Sequence, residues 1–226
     1  MLLIIVFFIG GIVMPGILYH VSFAEVVYRM IKVKLDKIDF FSGNLVPDLA
    51  LDKKTSHFRI PASVEGFVIP DLKRAKKELL DVKSAMNIGI YCHLYLDYYF
   101  IEDFLIPSFI WDEANMMVIN PQNQKSWTVE KFFAKPNKGG ILYKGYTQIN
   151  KELIRNGYVS MDTISMIPEE LPLSGISTFD IRREKSWKKE LDGYLEEEAT
   201  YTGDILDYQK LCNFIDKTAS KFVAEL

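Results

Sequence analysis

The sequence predicts an all-α fold, a single irregular helical bundle. Three observations carry that expectation. Amphipathic stripes open and close the chain, at residues 17–34 and 204–226. Residues 84–104 are apolar on nearly every face, as a central buried helix is. No internal repeat and no convincing strand alternation runs through the 226 residues.

Residues 1–13 (MLLIIVFFIGGIV) are wholly apolar and admit three readings: a signal segment, a membrane anchor running to residue 19, or an extension ahead of a start at Met14. A signal segment wants an early positive charge and a small-residue cleavage site. No Lys or Arg precedes Arg29, and no such site is present. Gly10, Gly11, Pro15 and Gly16 break a membrane helix. Pro15 just ahead of a well-patterned helix favours the third reading, with residues 14–226 as one helical domain in the cytoplasm.

Residues 17–34 place Ile17, His20, Val21, Ala24, Val27 and Ile31 on one helical stripe. Residues 40–48 read as a helix end followed by a Gly-Asn and Pro turn, and residues 49–69 as loop. Pro70 and Asp71 open an exposed helix over 71–83, and the apolar helix follows at 84–104. Residues 115–126 are a polar loop, 144–156 a helix ended by Gly157, and 165–177 a turn-rich excursion. A short helix spans 187–198, and Asp204 caps the closing one.

Composition narrows the function classes. Apolar residues make up 49% and charged residues 25%, which excludes a disordered or low-complexity chain. Two cysteines, Cys92 and Cys212, exclude a disulfide scaffold and read as reduced core thiols. A net charge of −3 argues against a nucleic-acid partner, which calls for a basic surface.

The chain has three histidines, and their positions carry the chemistry. His93 and Asp97 stand four apart on the apolar helix, so both can reach one ion. Gly89, one turn earlier, leaves room for an ion or for another element to approach. The same spacing also suits a buried His–Asp hydrogen bond. His20 sits on the inward stripe of the first helix. Asp48 and His57 are nine residues apart in one loop, which can fold both onto one site. A buried carboxylate is costly unless paired or bound to metal. Nitrogen and carboxylate ligands without thiolate suit zinc in a catalytic site, and manganese or iron less well.

In order, these segments are Met14-Pro15-Gly16 with His20, Gly43-Asn44-Leu45-Val46-Pro47-Asp48, Ser56-His57-Phe58, and Gly89 with His93-Leu94-Tyr95-Leu96-Asp97. The series H…G-x-x-x-P-D…H-F…G-x-x-x-H-x-x-x-D resembles the zinc-dependent phospholipase C and single-strand nuclease superfamily over roughly residues 14–107. The resemblance implies an all-α bundle with its metals between helices. It implies Asp48, His57, His93 and Asp97 as ligands of one zinc, and Asp97 as a bridge to a second zinc that His20 also holds. A third zinc would need further histidines. None follows His93, and Asp103 stands where one is expected, so the resemblance implies one or two ions here.

The implied chemistry is phosphodiester hydrolysis, with two metals about 3.5–4 Å apart activating water and neutralising phosphate oxygens. Asp48 is the implied catalytic residue, orienting or deprotonating that water. The implied substrate is a phosphoester, foremost a phospholipid head group, with a membrane surface as the setting. The alternative is a non-catalytic, metal-stabilised helical module that binds lipid or a protein. A phosphohydrolase built on an adjacent His-Asp pair is disfavoured, because the chain has no His-Asp dipeptide.

Overall fold

The structure is a computed structural model that describes residues 15–64, 67–135, 138–172, 187–196 and 201–226. The apolar segment at 1–13 lies outside the described residues, as does part of the 165–177 excursion. Among the described residues, no helix is long and apolar enough to cross a membrane.

Helix α1 (Ile17–Met30) starts from Gly16, and its inward stripe is fully buried. Helix α2 (Lys37–Leu49) is capped by the Asp36 carboxylate, which accepts from the Asp39 amide. It runs through Gly43, Asn44 and Pro47, where the sequence suggested a turn. The correction has a physical reason: the glycine serves packing, not a bend. A Cβ on Gly43 would come within 2.2 Å of the Met86 carbonyl oxygen on the apolar central helix. Pro47 lies in the last turn of α2, where it forfeits the hydrogen bond to the Gly43 carbonyl and the helix ends two residues later.

Helix α3 (Lys53–Ser56) is capped by Asp52. Residues 49–69 are therefore not all loop. Strand β1 (Arg59–Pro61) pairs antiparallel with β2 (Val68–Pro70), in the register Arg59 to Pro70 and Ile60 to Ile69. Helix α4 (Leu72–Leu80) takes Asp71 as its cap. Helix α5 (Ala85–Tyr99) takes Ser84 and is the central element, packed on α2, α4 and α1. A π-helical stretch, Phe100–Leu105, continues it and leads into a short turn of helix, α6 (Ile106–Ser108).

A three-stranded antiparallel sheet follows: β3 (Ile110–Asp112), β4 (Met117–Ile119) and β5 (Ser126–Thr128). The expected polar loop at 115–126 thus contains strands, and the all-α expectation holds approximately: the fold is mostly helical with two small antiparallel sheets. Strands of three residues are too short to show a period-two pattern. What holds them is aromatic cover: Trp111 and Trp127 flank the fully buried Val118 in register. Helices α7 (Val129–Phe132), α8 (Ile141–Arg155), α9 (Met161–Met166), α10 (Trp187–Glu196) and α11 (Tyr208–Glu225) complete the chain.

Gly157 adopts φ +73° just after α8, as a helix-ending glycine does. The cap of α11 is Asp207, not Asp204. Asp204 instead pairs with Lys125, and its carbonyl accepts from Asn120 and Asn123, tying the β-sheet to the last helix. Cys92 and Cys212 are both buried and unbridged. Tyr95 and Phe100 are buried core residues, while Tyr98 and Tyr99 are half-buried.

Candidate metal centre

The structure brings His20, Asp48, His57, His93 and Asp97 to one buried place at the meeting of α1, the end of α2, the end of α3 and α5. Each position has a local cause. The amphipathic period of α1 turns His20 inward, at 1% exposure. Helix α2 delivers Asp48 one residue after Pro47. His57 ends α3, and the chain leaves it through Phe58, a non-glycine residue with φ +50°. That conformation is unfavourable and is held by burial of the Phe58 ring. His93 and Asp97 share one face of α5, and their close placement against α2 depends on Gly89. A Cβ there would lie 2.0 Å from the Phe40 carbonyl oxygen. The room that Gly89 leaves is therefore taken by α2.

Hydrogen bonds fix the ring tautomers. His93 Nδ1 lies 2.7 Å from the Asn44 carbonyl oxygen. A carbonyl only accepts, so Nδ1 donates and Nε2 of the neutral ring presents a lone pair. His57 Nδ1 lies 3.1 Å from the Lys53 carbonyl oxygen and 2.9 Å from Ser56 Oγ. Ser56 Oγ donates its own proton to the Pro47 carbonyl, so His57 Nδ1 also donates. With both rings neutral, the two Nε2 atoms would face each other 3.4 Å apart, lone pair to lone pair. Like poles at that distance repel, and a cation between them reverses the sign.

The remaining distances have the same scale. Asp97 Oδ2 lies 3.3 Å from His93 Nε2 and 3.6 Å from His57 Nε2, and Asp48 Oδ1 lies 3.7 Å from His57 Nε2. A tetrahedral ion with bonds of about 2.0–2.1 Å has ligand-to-ligand edges of about 3.3–3.4 Å. On the far side, Asp97 Oδ1 lies 3.3 Å from His20 Nε2, and the His20 ring stacks on His93 with centroids 3.6 Å apart. Both Asp97 oxygens and both His20 nitrogens are buried without a hydrogen bond. Two overlapping groups, His57 with His93 and Asp97, and His20 with Asp48 and His93, are therefore buried His/Asp clusters that could hold a metal ion. Asp103 is exposed on the π-helical stretch, outside both groups.

Burial alone would raise the Asp97 carboxyl, but the His93 and His20 imidazoles overrule it and hold it well below the usual carboxylate range. Asp48 is also held low: burial raises it, and the His57 contact, His93 and Lys53 outweigh that. Burial pushes His20 down, with His93 adding to the effect and Asp97 opposing it. Burial lowers His93 too, but Asp97 and Asp48 outweigh it and the net shift is upward.

The histidine shifts oppose each other in sign, so the acid limb belongs to the carboxylates. Groups depressed in the fold stabilise it above about pH 4 and lose that contribution as pH falls further. Metal-free protein is expected to melt at progressively lower temperature from pH 4 to pH 2, and Asp48→Asn to lose less over that span. Circular dichroism melts across the range check it; an equal loss in both proteins would contradict it.

Residues the sequence reading passed over also meet here. Lys53 Nζ lies 2.7 Å from Asp48 Oδ1. Asn44 and Ser56 orient the two rings. Tyr146 on α8 has a buried hydroxyl within the field of Asp97. Ser56 adjoins His57 in sequence and was within reach of a closer reading; the Asn44 carbonyl, a backbone group, leaves no signal in residue type. Comparison with protein-family models, curated proteins and solved structures finds no match to this chain.

Proposed function

We propose that this chain is a metal-dependent phosphoester hydrolase, a zinc-dependent phospholipase C-like phosphodiesterase holding one or two ions. The observation that carries the reading is the pair of facing, tautomer-fixed Nε2 atoms beside a buried carboxylate whose oxygens make no hydrogen bond. Nitrogen and oxygen donors at tetrahedral spacing suit zinc. The H…G-x-x-x-P-D…H-F…G-x-x-x-H-x-x-x-D order supplies the phosphoesterase class by resemblance.

In this reading His57, His93, Asp48 and Asp97 hold the first ion. Asp97 would serve a second ion together with His20 through its other oxygen. A metal held by these residues would supply Lewis-acid polarisation of phosphoryl oxygens and a bound water with a pKa lowered toward about 7. Asp48 would orient the attacking water, and Lys53, 2.7 Å away, steadies that carboxylate. Asn44 and Ser56 keep the two rings in the ligating tautomer.

The purified protein is expected to hydrolyse bis(p-nitrophenyl) phosphate or release a phospholipid head group between pH 6 and 9. Chelation should abolish the activity and zinc restore it. The second reading is a non-catalytic metal-stabilised module, and it draws on the exposed Asp103 and on the lack of any histidine after His93 in the sequence. Bound zinc with no turnover of either substrate decides for that reading.

A further inference from the structure

The β1–β2 hairpin brings a guanidinium beside the cluster. Arg59 stands two residues after His57 and is half-buried. Its Nε and Nη2 are buried and have no hydrogen-bond partner. Arginine stays protonated in proteins, so this is a fixed positive charge with two buried, unpaired N–H groups. Its electrostatic surroundings are Asp97, Asp48 and Asp52. None of these forms an ion pair with it among the described residues. Asp52 is already spent on the Lys54 amide and the Thr55 hydroxyl at the start of α3. Asp48 is engaged by Lys53. Metal binding would engage the charge of Asp97 and Asp48, leaving Arg59 short of counter-charge and its two buried N–H groups open to an anion.

Resting on the hydrolase reading above, we propose that Arg59 grips the phosphoryl group of the substrate at the edge of the metal cluster. Nε and Nη2 form one edge of the planar guanidinium, the side-on fork that donates two parallel hydrogen bonds to two oxygens of a tetrahedral oxyanion. The hairpin holds that fork still. The Asp71 amide donates to the Phe58 carbonyl at 2.9 Å, and the Ser63 amide donates to Glu102 at 2.8 Å, pinning the hairpin to the π-helical stretch that follows Asp97. Lys53 places a second cation by the Asp48 edge of the cluster. The ligand is therefore a phosphoryl ester whose non-bridging oxygens lie between metal and guanidinium. A soluble ester and a lipid head group share this chemistry.

The test titrates inorganic phosphate calorimetrically into zinc-loaded protein after removal of excess metal. Arg59→Met is expected to keep the wild-type metal content and weaken phosphate binding at least tenfold. Arg59→Lys, which keeps the charge but not the fork, should fall between them. Lys54→Met, an exposed neighbouring cation, should bind as wild type does. Metal content, read first, separates the two claims. A wild-type protein that takes up no metal overturns the hydrolase reading and this one with it. Metal-loaded Arg59→Met with unchanged phosphate affinity overturns this inference alone. Turnover of bis(p-nitrophenyl) phosphate and of phosphatidylcholine in mixed micelles distinguishes the sources. Arg59→Lys should raise KM on whichever one the wild type prefers, and an unchanged KM on both contradicts the assignment.

Discussion

Replacement of Asp97 by Asn is expected to lower both metal content and phosphodiester hydrolysis more than any single histidine change. Asp97 is fully buried, and its two oxygens point to different partners: His93 and His57 on one side, His20 on the other. Asn keeps the shape but removes the negative charge, and its NH2 group places protons where a lone pair was needed. Loss of a partner outside the ligand shell typically costs about 10–100-fold in metal affinity or activity. Loss of a bridging ligand should cost at least about 100-fold, on that scale. His20→Ala should be milder, removing only the second ion, because the His57, His93 and Asp97 group does not include it. Elemental analysis and colour release from bis(p-nitrophenyl) phosphate measure the two effects. Full metal and full activity in Asp97→Asn would put the site in the wrong place.

Gly89→Ala is expected to destabilise the protein strongly. Its Cβ would stand 2.0 Å from the Phe40 carbonyl oxygen and 3.0 Å from the Asn44 nitrogen, and these are backbone atoms that cannot rotate away. Helices α2 and α5 would have to separate at their tightest contact. Overpacking commonly costs about 1–3 kcal/mol, with the upper end expected where backbone must move. At roughly 2–4 °C per kcal/mol for a chain of this size, Tm should fall by about 5–10 °C. The same separation stretches the bond from His93 Nδ1 to the Asn44 carbonyl, now 2.7 Å, so metal affinity should fall as well. Gly193→Ala on α10 is the control, since nothing lies within 4 Å of its Cβ and alanine favours the helix. Equal melting of Gly89→Ala and wild type would contradict the tight crossing.

The long helices were legible because their signals are periodic: α1, α5 and α11 announce themselves by stripe or by uniform apolarity. The caps at Asp71 and Ser84 follow from local side-chain chemistry, though Asp204 shows that a capping residue three positions early reads the same in sequence. Two failures share one cause. Gly43, Asn44 and Pro47 look like a turn locally, and only the contact with α5 reveals that the glycine buys closeness. The strands of both small sheets are three residues long and are held by contacts across the hairpins, such as Trp111 and Trp127 across Val118, which no segment shows when read alone. The five acidic and imidazole side chains were legible from residue type and spacing. Arg59, Lys53 and the Asn44 carbonyl were not, because their roles depend on where the hairpin and the proline-containing helix end carry them.

Metal content of the wild-type protein is the most direct measure of the central claim, that two tautomer-fixed imidazoles and Asp97 surround a cation. Protein purified without chelator and analysed for transition elements is expected to carry one or two equivalents of zinc. The ion should be retained through gel filtration at pH 7.5 and lost in His57→Ala. Protein that carries no metal, takes up none when zinc is added, and melts at the same temperature with and without it would contradict the account.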